Sequence, residues 1–104
     1  MFIHNTTINI DNSIQKEWLH WMTEEQIPAI LATGKFANIK ICEVLIDEEM
    51  GGITYAIQYT AENENNLHSF LNNHAEKFDQ ELLKKFQGKY GIFATKLKVI
   101  SEFK

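Results

Sequence analysis

The sequence predicts an α+β fold in which a four-stranded antiparallel sheet carries two helices on one face. Four stretches alternate apolar and polar residues with period two, and the two long stretches between them switch to a helical period. The single proline and all five glycines fall at the boundaries of these stretches. With 104 residues, residues 1–104 form a single domain with a modest core.

Residues 2 to 10 open the chain as a strand, with Phe2, Thr6, Ile8 and Ile10 on one face and Ile3, Asn5, Thr7 and Asn9 on the other. Asp11, Asn12 and Ser13 supply capping side chains for a first helix. At about 100° per residue, Ile14, Trp18, Trp21 and Met22 share one arc, and Glu25 falls inside it. Pro28 should end or bend this helix near Gln26 and start a short second turn that Gly34 closes.

Residues 36 to 47 read as the second strand, with Ile39, Ile41 and Leu45 on one face. The run from Asp47 to Gly52 reads as a hairpin turn whose glycines take positive φ. Ile53 to Thr60 form the third strand, with Ile53, Tyr55, Ile57 and Tyr59 on its apolar face. A long second helix spans about Asn65 to Phe86, with His74 in the middle of its apolar stripe. The last strand, Ile92 to Ile100, is expected to turn Phe93, Thr95, Leu97 and Val99 towards the helices and Ala94, Lys96 and Lys98 away from them.

This βαββαβ order is the split pattern of a ferredoxin-like sandwich. Right-handed crossovers place both helices on one face, with strands one and three central and strands two and four at the edges. Lys40, Lys96 and Lys98 on the outer strands would discourage edge pairing. The face away from the helices collects Ile3, Asn5, Thr7, Asn9, Thr54, Ala56, Gln58, Ala94 and Lys96, with Cys42 and Val44 as further candidates. It is too uncharged for a plain solvent face and too polar for a dry core, which points to a homodimer through the sheet face.

The formal net charge of −4 argues against nucleic acid, and Lys84, Lys85, Lys89, Lys96 and Lys98 read as solvated surface. No apolar run reaches the roughly 20 residues of a membrane span, and the first residues lack the pattern of a signal peptide. A single cysteine, Cys42, fits a reducing compartment, so the expected location is the cytoplasm. His4, His20, His68 and His74 lack metal-ligand spacing, and no cofactor motif is present.

Several runs resemble a small bacterial domain family of unknown function, itself similar to the dimeric α+β barrel superfamily. They are Asn5 to Asp11, Trp18 to Met22, Ile27 to Phe36, and Glu48 to Gly52 with Gln58 and Tyr59. The resemblance covers essentially the whole chain and implies a ferredoxin-like sandwich of the dimeric α+β barrel type, without an established reaction. In that family the residue before Ile-Pro is often histidine; here it is Gln26, which does not titrate and so cannot take an acid–base role.

Two residues are candidates for catalysis. His74, on an apolar stripe, could act as a base or ligand, and it resembles the helix histidine of haem-degrading monooxygenases, with Asn5 and Trp18 or Trp21 as companions. Glu25 would either have its pKa raised by burial or escape to water where the helix bends. Trp18, Trp21, Tyr55, Tyr59 and Asn5 are candidate ligand-binding residues, with core packing as the plainer alternative. Three functions are compatible with these residues: a small apolar molecule bound or converted between helices and sheet, a non-catalytic interaction or regulatory module, or a haem-handling or cofactor-independent monooxygenase.

Overall fold

Alternation in the first strand sets the frame on which everything else is hung. In the computed structural model, which describes residues 1–47 and 51–104, this strand is β1, Phe2–Ile10. It pairs antiparallel with β3, Ile53–Ala61, on one side and β4, Tyr90–Lys98, on the other. β2, Asn38–Glu43, closes the far edge against β3, giving the sheet order β2-β3-β1-β4. This is the order expected from the sequence. The second strand is shorter than residues 36 to 47, and Leu45 is exposed. The hairpin predicted over Asp47 to Gly52 falls partly on residues 48–50, which lie outside the described residues. Gly52 beyond it has φ 79°, and a Cβ there would meet the Ile10 carbonyl oxygen at 2.6 Å. Only glycine fits that approach.

The Asp11 carboxylate caps the first helical stretch, accepting from the Ser13 backbone N–H at 2.9 Å and from the Ser13 hydroxyl. A short 3₁₀ turn, Asn12–Ile14, leads into α1, Gln15–Trp21. The helix does not stop at Gln26. It widens into a π-helical turn, Met22–Gln26, and continues as α2, Ile27–Leu31. Pro28 explains the widening: it has no N–H, and its ring would press on the carbonyl four residues back. The Ile27 N–H bonds instead to the Met22 carbonyl, five residues back.

The extra residue in this turn resolves the position of Glu25. A straight wheel keeps Glu25 on the buried arc, but one added residue rotates everything after Met22 backwards. Glu25 emerges into water, and Gln26 turns inward in line with Trp18, Met22 and Ile30.

The second helical layer is broken once, not continuous. α3, Glu64–Asn73, is capped by the Asn63 side chain on the Asn66 N–H at 2.8 Å. α4, Ala75–Phe86, starts after His74, whose φ of −128° leaves the helical region. The weak helix formers Asn72, Asn73 and His74 sit at the break. Ile8, Ile10, Trp18, Ile57, Leu67, Phe78 and Phe86 anchor the core between the two layers.

β4 overturns one expectation. Its register sets Ile92 opposite Ile8, Ala94 opposite Thr6 and Lys96 opposite His4, so these residues face the helix side. Phe93, Leu97 and Val99 point to the outer face, where they are 65%, 42% and 37% exposed. The phase of an edge strand is set by its central partner, and one residue of slip exchanges the two faces. Lys96 and Lys98 lie on the helix side because the helices do not cover that edge fully.

Candidate functional site

The uncovered ground between β4 and the helices is a cavity of about 420 Å³. Most of its wall is apolar, including Ile8, Met22, Ile30, Ile57, Phe78 and Leu82. Against this background a few polar groups stand out: His4 and Thr6 from β1, Gln26 from the π-helical turn, Tyr59 from β3, Asp79 from α4 and Tyr90 from β4. A mostly apolar concavity with a few convergent polar groups is the usual form of a small-molecule site.

Each group is placed by a local feature of the sequence. Alternation in β1 turns His4 and Thr6 to the helix side, beside Ile8. The widened turn before Pro28 delivers Gln26, which is only 6% exposed. His4 Nδ1, Thr6 Oγ1 and Gln26 Oε1 are buried, and none finds a hydrogen-bond partner among the described residues. An unsatisfied buried polar group costs about 1–3 kcal/mol. Among the described residues four buried side-chain atoms lack a partner: these three share one cavity wall, and the fourth, Trp18 Nε1, lies in the core beside Tyr55.

Electrostatics divide the cavity. Burial, followed by the charge of Lys96, holds the His4 imidazole below its ordinary value, so the ring is neutral at pH 7. It lies 5.4 Å from the Tyr59 ring, between centroids. Burial pushes the Tyr59 hydroxyl up strongly. The Thr6 hydroxyl is close enough to offset part of that rise, although it forms no hydrogen bond of ordinary length and angle. Burial also raises the Asp79 carboxyl, and Asp79 in turn helps raise Tyr90. Asp79 makes no ion pair or hydrogen bond among the described residues, and its side chain is exposed at the mouth of the cavity.

These shifts make stability depend on pH in two opposite ways. A histidine whose folded pKa is lowered adds stability that is complete above the unfolded value of 6.5 and is lost as the pH falls through the folded value. His4→Gln should therefore flatten the loss of stability below pH 6.5, by no more than about 1.4 kcal/mol per pH unit. Urea denaturation at several pH values checks this. Asp79 has the opposite sign: its raised carboxyl disfavours folding once it is ionised. Asp79→Asn should raise the melting temperature at pH 7, and the gain should fade as the pH drops below the carboxylate range.

Of the candidate catalytic and ligand-binding residues named from the sequence, only Tyr59 lies in the cavity wall, and Gln26, noted there as standing where relatives often have histidine, lies in it too. Trp18 is buried against Tyr55, with ring centroids 4.9 Å apart, and Tyr55 Oη accepts from Gln15 Nε2 at 2.7 Å. Trp21 meets Phe86 edge-on at 5.5 Å. Trp18 and Trp21 precede the turn that opens the cavity, so Trp18 packs on Tyr55 in the seam between α1 and the sheet and Trp21 packs on α4. Asn5 faces away from the helices, opposite Gln58 and Thr95. His74 stacks on Phe70 at the break between α3 and α4, and Glu25 is in water. Asn5, Trp18 and His74 are therefore not brought together, and the haem-degrading arrangement has no counterpart in this geometry. His4, Thr6 and Asp79 escaped the sequence reading. His4 was detectable, since it shares the parity of Phe2, Thr6 and Ile8.

The sequence over residues 1–100 matches the family model for a domain of unknown function, DUF4286. The chain belongs to the DUF4286 family. No curated protein matches it. Among solved structures, this DUF4286 domain is similar to a dimeric ferredoxin-like protein from an uncultured marine organism, at TM-score 0.74 and 12% identity, covering 98% of this chain and 97% of that one. It is also similar to a protein from Arabidopsis thaliana, at TM-score 0.71 and 12% identity, covering 99% of each chain. A third similar structure, at TM-score 0.64 and 14% identity, is a proposed antibiotic biosynthesis monooxygenase from Deinococcus radiodurans, with 100% and 99% coverage. At such identities the likeness shows the fold alone: a ferredoxin-like α+β sandwich. Among the described residues there is no cluster of metal-binding side chains, and no helix is long and apolar enough to cross a membrane.

Proposed function

We propose that this DUF4286 domain binds a small, largely apolar molecule in the cavity between helices and sheet, as a homodimer joined through its outer sheet face. The observation that carries the reading is the set of buried atoms His4 Nδ1, Thr6 Oγ1 and Gln26 Oε1, unpaired within the described residues and gathered in one wall. A bound molecule that pairs with them recovers the cost of burying them.

Support for self-association comes from β4. Phe93, Leu97 and Val99 form an apolar row on the outer face, and Ile100 and Phe103 beyond it are 84% and 90% exposed. Exposed apolar patches of this kind are typical of an interface, and a fold neighbour is a dimeric ferredoxin-like protein.

Gln26→Leu separates a binding role from a packing role. The substitution removes the unpaired amide and keeps the volume, so stability should hold or rise by about 1 kcal/mol. Native mass spectrometry of protein isolated from its own host should show a small-molecule adduct that Gln26→Leu loses. A destabilised variant, together with no adduct on the natural protein, would remove the basis for the reading.

A further inference from the structure

The charge balance of the cavity says more about its occupant than its apolar area does. Among the described residues, Asp79 is the one ionised side chain in the wall at pH 7, since His4 is neutral and no lysine lines the space. Burial alone accounts for the raised carboxyl of Asp79, with no cation offsetting it. The same wall holds the rings of Phe70, Phe78, Tyr59 and Tyr90. Aromatic rings beside an uncompensated carboxylate attract an organic cation, through the negative faces of the rings and the charge of the carboxylate. An anion would meet Asp79 within the wall, while the positive charge of Lys96, which reaches His4, lies outside the lining, and this disfavours carboxylates and phosphate esters. Further in, Thr6 Oγ1 and Gln26 offer hydrogen bonds for a polar substituent on the same molecule.

From this arrangement we infer that the ligand is an amine, protonated at neutral pH, with an apolar body: the ammonium group sits at Asp79 and the body fills the space towards Thr6 and Gln26. The inference rests on the binding reading above and adds the chemical class of the ligand. Asp79 leaves α4 on the solvent side, so its exchange for asparagine keeps the helix and the cavity.

The test uses the full chain, labelled with nitrogen-15, titrated at pH 7 with three probes of one shape: 4-phenylbutylamine, 4-phenylbutan-1-ol and 4-phenylbutyrate. The amine should shift the Gln26 side-chain amide and the Thr6 backbone resonance, and should bind about tenfold more tightly than the alcohol, with butyrate weakest. In Asp79→Asn the amine should fall to the affinity of the alcohol, while the alcohol binds as before. Equal binding of amine and alcohol by the natural protein overturns the cation assignment and leaves the cavity as a site. An amine preference that persists in Asp79→Asn overturns the role of Asp79. If none of the three probes moves a cavity resonance, the cation assignment and the binding reading fall together.

Discussion

Trp18→Ala should lose about 3–5 kcal/mol of stability, the largest single-residue effect expected in this chain. Trp18 is fully buried and packs on Tyr55, in the middle of the seam between α1 and the sheet. The space its ring would leave is hard to close, because α1 is packed on the sheet beneath and follows directly from the 3₁₀ turn that Asp11 caps. A domain of this size has about 5–15 kcal/mol in total, so the variant should sit near the edge of folding at 37 °C. Trp18→Phe should cost much less, since it keeps most of the ring and removes the indole N–H, which finds no partner among the described residues. Urea denaturation followed by circular dichroism decides the matter. A loss below about 1 kcal/mol for the alanine variant would mean that the seam is not the core.

Phe93→Glu should convert the protein from dimer to monomer with its fold intact. Phe93 is 65% exposed in the single chain, so the change removes little internal packing. In a dimer joined through the outer face, a carboxylate would be buried on each side of the interface, against the apolar row of Leu97 and Val99. Desolvating such charges costs several kcal/mol each, more than a modest interface supplies. Light scattering at micromolar concentration should give twice 12.1 kDa for the natural chain and 12.1 kDa for the variant, with unchanged circular dichroism. A monomeric natural chain, or a variant that stays dimeric, contradicts the assignment of this face.

The framework was legible in the sequence because it rests on periodicity. Four alternating stretches and two helical ones led directly to the order β2-β3-β1-β4 and to one helical face. Periodicity failed where a neighbour or a local irregularity changed the phase. β4 looks like a strand with a buried Phe93 face, yet its pairing with β1 turns that face outward. Nothing within β4 itself carries that information. The helix before Pro28 looks like a straight wheel with Glu25 inside, yet the widened turn exchanges Glu25 for Gln26. The proline was visible and its bend was expected, but an extra residue, unlike a simple kink, turns every later side chain by about 100°.

The candidate site was hidden for a related reason. Aromatic residues drew attention to the first helix, and Trp18 and Trp21 are core for the same reason that they are conspicuous: large rings fill the seam. The cavity wall is marked instead by small departures from apolarity at buried positions, His4 and Thr6 in β1 and Gln26 in the turn. Such departures have meaning only once burial is known. Asp79 lies on the polar side of the α4 pattern, and only the gap left at β4 makes it part of a wall.

The most direct test of a ligand site beside β4 is a crystal structure of the protein purified from its own host. A small molecule is expected in the cavity, within hydrogen-bond distance of Gln26 and Thr6 and with its apolar part against Ile8 and Phe78. A cavity holding only ordered waters on His4, Thr6 and Gln26 would contradict the binding reading, because water would then satisfy the groups on which it depends.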